Sequence, residues 1–364
     1  MVSRVSVDTP RRYLAFLAVA AGVAGGLLTP ARAHELLVFP RAEVLHTEAH
    51  GAEPEGTEWK AGASVFYTSD WRQLRALVEL SLVYTHTPDE IEREKEFERA
   101  QLGWQFDPNN TLWVGRYHTP IGNWNTVHHH GAHLQTSISR PRIHEFEDEG
   151  GILPVHFFGL LLSGIQSSRD GALSYDVGAA SGPTLTDGVL EPVKFLAPQH
   201  FGKPSFVGRI AWRPDVGAES EFGGFAAHSR IPVADVPADE IGQTISGAYV
   251  NLDLSPWRLV GEAFLVRNAF RSTGNASSFV AGLVEVEFRA SSSWVLFARH
   301  EAIGARWRDA YLDRFPDFPK ARSVAGVRFD ITHHQAVTFE VANHTRRDDV
   351  RYLQTALQWS TAFP

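Results

Sequence analysis

The sequence contains no cysteine and a single methionine among its 364 residues. A chain without cysteine forms no disulfide bond, no thiolate metal site and no cysteine nucleophile. Beyond residue 28 the chain also lacks a run of about 18 consecutive apolar residues, the length that a membrane-spanning helix requires. Disulfides are therefore excluded as a source of stability, and a spanning helix is not expected in the body of the chain.

Residues 1–33 have the pattern of a secretory signal peptide. Arg4, Arg11 and Arg12 precede an uncharged apolar stretch at 13–28. The triplet Ala31-Arg32-Ala33 provides a cleavage site of the small-x-small type. We therefore expect an exported protein whose mature part, residues 34–364, forms one domain.

The composition narrows the classes of protein that fit an exported chain. The formal net charge of −8 disfavours binding to nucleic acid, because phosphate backbones attract basic surfaces. The chain holds 10 Trp, 23 Phe and 8 Tyr. An exported chain that is rich in aromatic residues and free of cysteine is typical of a large soluble β-protein or of an outer-membrane barrel.

Alternating side chains predict a series of hairpins. Residues 99–106 alternate between polar and apolar, a turn follows at 107–110, and residues 111–118 run back. The same unit recurs at 205–230, 243–267, 284–301 and 325–341.

Short turns alternate with long polar connections, and this asymmetry is typical of an outer-membrane barrel. The pattern predicts an all-β fold, a transmembrane antiparallel β-barrel of about sixteen strands. The first strand, 35–47, contains Pro40 and alternates poorly, so fourteen strands are the alternative. The long connections are predicted at 86–94, 119–153, 181–203, 231–242, 268–277 and 303–321.

The connection at 119–153 joins the fifth and sixth predicted strands, so it is the third long loop. It begins with Gly115-Arg116-Tyr117-His118-Thr119-Pro120-Ile121-Gly122. In this stretch and in its topology the chain resembles the outer-membrane porin superfamily, and it is distantly similar to the phosphate-selective group. The resemblance implies a third loop that folds toward the lumen and narrows a pore, and assembly as a homotrimer. Residues 123–153 contain no lysine, so phosphate selectivity is not expected.

Histidines are concentrated around this loop: seven of the 17 lie between residues 115 and 156. Three interpretations stay open: imidazoles that line a pore and titrate near pH ~6.5, imidazoles that hydrogen-bond the loop to the barrel wall, and a metal site. For the metal site, His128, His130 and His133 would bind Zn or Cu, with nearby carboxylates as further ligands.

Opposite charges also follow one another in the loop. Arg140 and Arg142 precede an acidic segment at 145–149, which would create a transverse field across a pore or form local salt bridges. The residues predicted to form the constriction are Arg116, His118, His128, His129, His130, His133, Arg140, Arg142, His144, Glu145, Glu147, Asp148 and Glu149.

Charged residues on the polar faces of the strands predict a wet lumen with charges of both signs. Arg116 shares its strand parity with Leu112 and Val114, but a charge facing lipid costs ~2–4 kcal/mol at mid-membrane. We therefore expect a strand end or a bulge to place Arg116 in water. The predicted lumen wall comprises Arg99, Arg209, Arg213, Glu285, Glu287, Arg289, Arg328 and Asp330.

These observations favour a porin-like channel in the outer membrane of a Gram-negative bacterium, reached after cleavage near Ala33. It would pass small hydrophilic solutes or ions passively or with weak selectivity, with membrane lipid around it and without a cofactor. The alternatives are a barrel that binds or imports a transition-metal ion through the loop, and a barrel enzyme. An enzyme is not expected, because no signature such as Gly-x-Ser-x-Gly is present.

Overall fold

The chain folds into a closed antiparallel barrel of sixteen strands, with a separate two-stranded hairpin in one loop. The predicted all-β barrel is therefore confirmed. Apart from Ala33, the predicted signal peptide lies outside the residues that the structure describes. No helix among the described residues is long and apolar enough to cross a membrane. This structure, a computed structural model, describes residues 33–48, 55–88, 90–127, 131–194, 202–214, 219–234, 236, 239–305 and 309–363.

Each barrel strand pairs with its neighbours along the chain, and β1 closes the ring by pairing with β18. The first strand is thus part of the barrel, and sixteen strands are confirmed over fourteen. The first nine strands are β1 (Ala33–Thr47), β2 (Gly56–Trp71), β3 (Leu74–His86), β4 (Ile91–Asp107), β5 (Asn110–His118), β6 (His156–Ser168), β7 (Gly171–Ser181), β8 (Thr184–Thr186) and β9 (Val189–Glu191), of which β8 and β9 form the separate hairpin. The others are β10 (Pro204–Arg213), β11 (Glu221–Pro232), β12 (Glu240–Leu254), β13 (Trp257–Phe270), β14 (Ala276–Arg289), β15 (Trp294–Ala305), β16 (Ala321–Thr332), β17 (Gln335–Thr345) and β18 (Arg351–Thr361).

The predicted asymmetry of the connections is present, but two of the predicted long loops are short. The loop predicted at 268–277 comprises only 271–275, because β13 extends to Phe270 and β14 begins at Ala276. The predicted loop at 86–94 is short, because β4 already begins at Ile91. Glu94 and Glu96 pair with Val83 and Ser81 of β3 and are part of a regular strand. Side chains that face the lumen meet water, so a charged stretch in a barrel strand is no signal for a loop.

The outer surface is apolar and carries aromatic rings near the short turns. Trp257 and Phe288 pair across β13 and β14 with ring centroids 4.5 Å apart, and Trp294 and Phe329 pair across β15 and β16 at 4.6 Å. Such exposed rings at a barrel end are typical of the interface between lipid and water.

Part of the barrel interior is filled by an apolar core. Inward side chains of β10 to β14, such as Phe225 and Phe264, pack with residues from four connections that fold inward. Close-packed side chains exclude water, so this side of the lumen is closed to solutes. The connections contribute Ile121, Ile143, Ile152, Leu153, Leu185, Leu190, Val233, Tyr311, Leu312, Phe315 and Phe318.

Candidate functional site

The third loop, residues 119–155, leaves β5 and crosses the lumen before it returns to β6. It contains a short helix, Trp124–Val127, and two 3-10 turns, Ala132–Leu134 and Arg142–His144. Its hydrogen-bond partners lie on β13, β15, β16 and β17, across the barrel from its own strands. The predicted third loop that folds toward the lumen is therefore confirmed.

Glu262 of β13 is the first attachment point of the loop. Its carboxylate accepts a hydrogen bond from the backbone N of Trp124 at 2.6 Å and contacts Nε2 of His144 at 2.7 Å. The side chains of Glu262 and His144 are both fully buried. Gly122 has φ 73°, and a Cβ at this position would collide with the Glu262 carboxylate. Glycine therefore permits both the turn and the close approach of the loop to β13.

Arg299 of β15 is the second attachment point. Its guanidinium donates to the side-chain oxygen of Ser137 at 2.8 Å and to the backbone carbonyl of Ser139 at 2.8 Å. Its charge is compensated by Glu285 at 3.0 Å and Glu301 at 3.4 Å. The loop backbone thus receives charge-assisted hydrogen bonds in place of those of regular secondary structure.

Two further wall residues hold the middle of the loop. Glu340 of β17 accepts hydrogen bonds from the backbone N of Ile138 at 2.8 Å and of Ser139 at 3.2 Å. Arg328 of β16 donates to the carbonyl of His133 at 2.7 Å. We call β13, β15, β16 and β17 with these residues the anchoring wall.

The described histidines of the loop region are mostly buried rather than exposed to the lumen. His118 is 7 % exposed, His144 is 0 % exposed and His156 is 2 % exposed. His133 keeps part of its surface and lies with Nε2 3.2 Å from the carbonyl of His333. Partial burial and the Arg328 guanidinium lower the pKa of His133. For His144 and His156 this geometry corresponds to imidazoles that fasten the loop. His128, His129 and His130 lie outside the described residues, and with them two of the three predicted metal ligands.

The arginines of the loop contact neighbouring residues of the same loop. The Arg140 guanidinium lies 3.7 Å from the centre of the Phe146 ring, and its Nε donates to the carbonyl of His144 at 2.6 Å. Burial lowers the pKa of Arg140 below its ordinary value. Arg142 forms an ion pair with Glu145 at 2.8 Å. This arrangement corresponds to the local salt bridges that were the alternative to a transverse field.

Arg116 avoids lipid, but not in the way the sequence analysis expected. The preceding Gly115 has φ 136°, and Arg116 lies 2.6 Å from Glu96 and 3.9 Å from Glu98 of β4. Only 4 % of Arg116 is exposed, so the expectation that it lies in water is wrong. Carboxylates of the neighbouring strand, rather than water, compensate its charge.

At the acidic tip of the loop, Glu149 faces β1 and β2, and Asp148 lies beside Glu96 of β4. Both side chains are exposed within the lumen, and the Glu149 carboxylate interacts with Lys60 and Arg41. Desolvation inside the barrel raises the pKa of Glu149 to about 8. Desolvation together with repulsion from Glu96 raises the pKa of Asp148 to about 7.

Lys60 and Arg41 were missed by the sequence analysis. Lys60 belongs to an alternating stretch in which Glu58, Lys60 and Ser64 face inward, and this alternation is the signal that could have identified it. Arg41 follows Pro40 in a strand with poor alternation. We call β1 and β2, with Arg41, Glu43, Glu58 and Lys60, the open wall.

The predicted wall residues lie on the lumen-facing side of their strands and most of them form ion pairs. Such pairs compensate charges that would be costly inside a narrow barrel. The pairs are Arg99 with Glu79, Arg209 with Asp176 and Glu221, Arg213 with Glu221, Glu285 with Arg299, Glu287 with Arg258, and Arg328 with Asp330, while Arg289 ends β14.

Solved structures share this fold. An anion-selective porin from Comamonas acidovorans aligns with a TM-score of 0.61 and 12 % identity, over 91 % of this chain and 99 % of that chain. OmpF of Salmonella typhi, in complex with daunomycin, aligns with a TM-score of 0.60 and 10 % identity, over 91 % and 97 %. The trimer form of OmpT, an outer-membrane protein of Vibrio cholerae, has a TM-score of 0.53 and 9 % identity, over 92 % and 100 %. No protein-family model matches the sequence, and no curated protein matches it. The chain therefore shares the closed-barrel fold of these solved porins.

Proposed function

We propose that the protein is an outer-membrane channel for passive or weakly selective passage of small hydrophilic solutes and ions. The observation that carries this proposal is the path of the third loop. The loop is fastened to the anchoring wall and covers the apolar core, and its acidic tip faces the open wall. This geometry favours a single polar passage beside β1 and β2.

The side chains of the open wall support such a passage because they keep contact with water. The side chains of Lys60 and Glu58 are 32 % and 39 % exposed, whereas those of Arg299 and Glu262 on the anchoring wall are fully buried. A solute would pass between Asp148 and Glu149 on the loop and the cations Arg41 and Lys60. The balance of these charges would set the ion preference.

The surroundings of the channel form part of the same proposal. The apolar outer face with its aromatic rings would contact the lipid of the outer membrane. A homotrimer, which the resemblance to porins implies, is also the form in which the Vibrio cholerae neighbour is described.

Planar-bilayer recording tests the proposal directly. Mature protein refolded in detergent should insert as stable channels whose conductance rises with salt concentration. Folding is checked beforehand by β-sheet content and by the change in gel mobility on heating. Correctly folded protein that inserts into vesicles but never conducts would contradict the proposal.

A further inference from the structure

The root of the third loop brings one carboxylate and two imidazoles together. Donor atoms of Glu98, His118 and His156 all lie within 4.8 Å of one another. All three residues are buried, with 4 %, 7 % and 2 % of their surface exposed. We propose that these residues bind a divalent transition-metal ion, with Zn²⁺ as the best-fitting ion, at a site separate from the loop histidines 128, 130 and 133.

The backbone explains how three residues distant in sequence converge. His118 ends β5 and His156 begins β6, and the two residues pair directly across these strands. Their rings lie with centroids 4.8 Å apart and planes at 81°. The pairing of β4 with β3 shifts between Glu79–Arg99 and Leu80–Phe97, so Glu98 is the extra residue of a bulge. Bulges redirect side chains, which here turns Glu98 toward the two imidazoles.

The distance between His156 and Glu98 suits two ligands of one tetrahedral metal ion. Nε2 of His156 lies 3.4 Å from Oε2 of Glu98. Two ligands at ~2.0–2.1 Å from a tetrahedral zinc ion are separated by roughly 3.3 Å. Mixed imidazole and carboxylate ligands suit zinc and copper. Three protein ligands would leave a fourth position for water, as in open zinc sites.

Glu147 holds His156 in the orientation that a metal ligand requires. One carboxylate oxygen of Glu147 lies 2.8 Å from Nδ1 of His156, and the other accepts the backbone N–H of His156 at 2.8 Å. A carboxylate at Nδ1 keeps the proton there and leaves Nε2 to bind a metal. Nε2 is the atom that points toward Glu98.

The local charge also favours a bound cation. Three carboxylates, Glu96, Glu98 and Glu147, surround the single guanidinium of Arg116. Arg116 lies closer to Glu96, at 2.6 Å, than to Glu98, at 3.9 Å. The three carboxylates outnumber this guanidinium, and an excess of negative charge is costly in a buried site unless a cation offsets it. A divalent ion would offset this excess.

A metal ion at this site would connect β4 with the last residue of β5 and the first residue of β6. It would therefore clamp both ends of the third loop to the barrel wall. The inference does not depend on channel activity, because binding and stability can be measured on detergent-solubilised protein.

Calorimetric titration of the chelator-treated full chain with ZnCl₂ tests the site. We expect one ion per chain, a higher Tm in the presence of Zn²⁺, and tetrahedral visible absorption bands when Co²⁺ replaces Zn²⁺. His118→Ala should abolish binding. Glu147→Gln, which keeps all three ligands, should weaken Kd about 10–100-fold because the orienting carboxylate is lost.

His300→Ala is the matched control, since His300 lies on the outer face and its Nδ1 bonds to Ser323 at 2.8 Å. It should bind Zn²⁺ as the unmodified chain does. Each variant is first checked for folding by heat-dependent gel mobility. The proposal is overturned if the unmodified chain binds no stoichiometric Zn²⁺, or if folded His118→Ala binds it unchanged. Loss of binding in His133→Ala alone would also overturn it, in favour of the loop histidines.

Discussion

The anchoring wall and the open wall use the same kinds of side chain for different purposes. Both carry inward-facing carboxylates and cations on regular strands. On the anchoring wall, Arg299 and Glu262 are fully buried and bond to the third loop. On the open wall, the side chains of Lys60 and Glu58 stay about a third exposed and lie 3.5 Å apart. The difference shows that an inward-facing charged side chain identifies the face of the strand that points to the lumen. It does not reveal whether that side chain holds the third loop in place or lines a passage.

The energetic consequences of the two environments differ accordingly. A buried charge that loses its partner destabilises a protein strongly, because the remaining charge stays away from water. An exposed ion pair contributes little, because water and salt screen it. Substitutions on the anchoring wall should therefore affect stability and loop position, and substitutions on the open wall should affect selectivity.

The largest effect is expected from Arg299→Leu on the anchoring wall. This change leaves Glu285 and Glu301 without the guanidinium between them and removes the bonds to Ser137 and Ser139. We expect a loss of about 3–5 kcal/mol in the free energy of unfolding. Denaturant titration in detergent measures it, with Glu58→Ala on the open wall as the control. Equal losses in the two variants would remove the distinction between the walls.

A smaller loss is expected from Glu340→Gln, because the amide keeps one acceptor and the shape of the side chain. Glu340 accepts hydrogen bonds from Ile138 and Ser139 of the loop. Hydrogen bonds to a charged group contribute about 1.5–3 kcal/mol, and the substitution should cost a part of that. The single-channel conductance should become noisier as the loop loosens. Thr338→Ser, on the same strand, serves as the control. A variant as stable and as quiet as the unmodified chain would count against this role of Glu340.

On the open wall, Lys60→Gln should change stability by no more than about 0.5 kcal/mol, as is usual for water-exposed positions. The permeability ratio of cations to anions should rise, because the positive side of the passage loses a charge that faces Glu149. Reversal potentials in a salt gradient measure this ratio. An unchanged ratio would mean that solutes do not pass beside Lys60.

The acidic tip of the loop should make the ion preference depend on pH. Asp148 and Glu149, with pKa values of about 7 and about 8, lose their negative charge as the pH falls through this range. Desolvation inside the barrel raises both pKa values. Repulsion from Glu96 adds to the shift of Asp148 and repulsion from Glu145 to that of Glu149, whereas Lys60 and Arg41 oppose the shift of Glu149. The cation preference should therefore decrease on acidification. Reversal potentials across this range measure the change, and the double variant Asp148→Asn, Glu149→Gln should show no such decrease.

The fold could be predicted largely from the sequence. Alternation over 99–118 predicted β4, its turn and β5, and the count of alternating segments predicted about sixteen strands. The start of β4 was missed, because Glu94 and Glu96 look like loop residues unless their inward face is already known. The position of the third loop was predicted because strand counting needs only local patterns.

The candidate site could be predicted only in part. The density of histidines indicated the right segment, but not that His144 would be buried against Glu262, 118 residues away in the chain. For Arg140 and Arg142 the sequence left open a transverse field or local salt bridges with 145–149, and it did not predict that Arg140 lies against the Phe146 ring. Local patterns carry no information on such distant partners.

The sequence by itself determined the class of fold, the number of strands, the loop that enters the lumen and the sign of the charges along it. Periodicity and turn residues are local, and they suffice for the fold class, the strand number and the charges, whereas the resemblance to porins implied that the third loop enters the lumen. Only the tertiary structure decided which charges are buried in the anchoring wall, which face the open wall, and that Glu98, His118 and His156 meet at the root of the loop. Closure of the barrel brings together residues more than a hundred positions apart, and burial then depends on these contacts rather than on the pattern of any one strand.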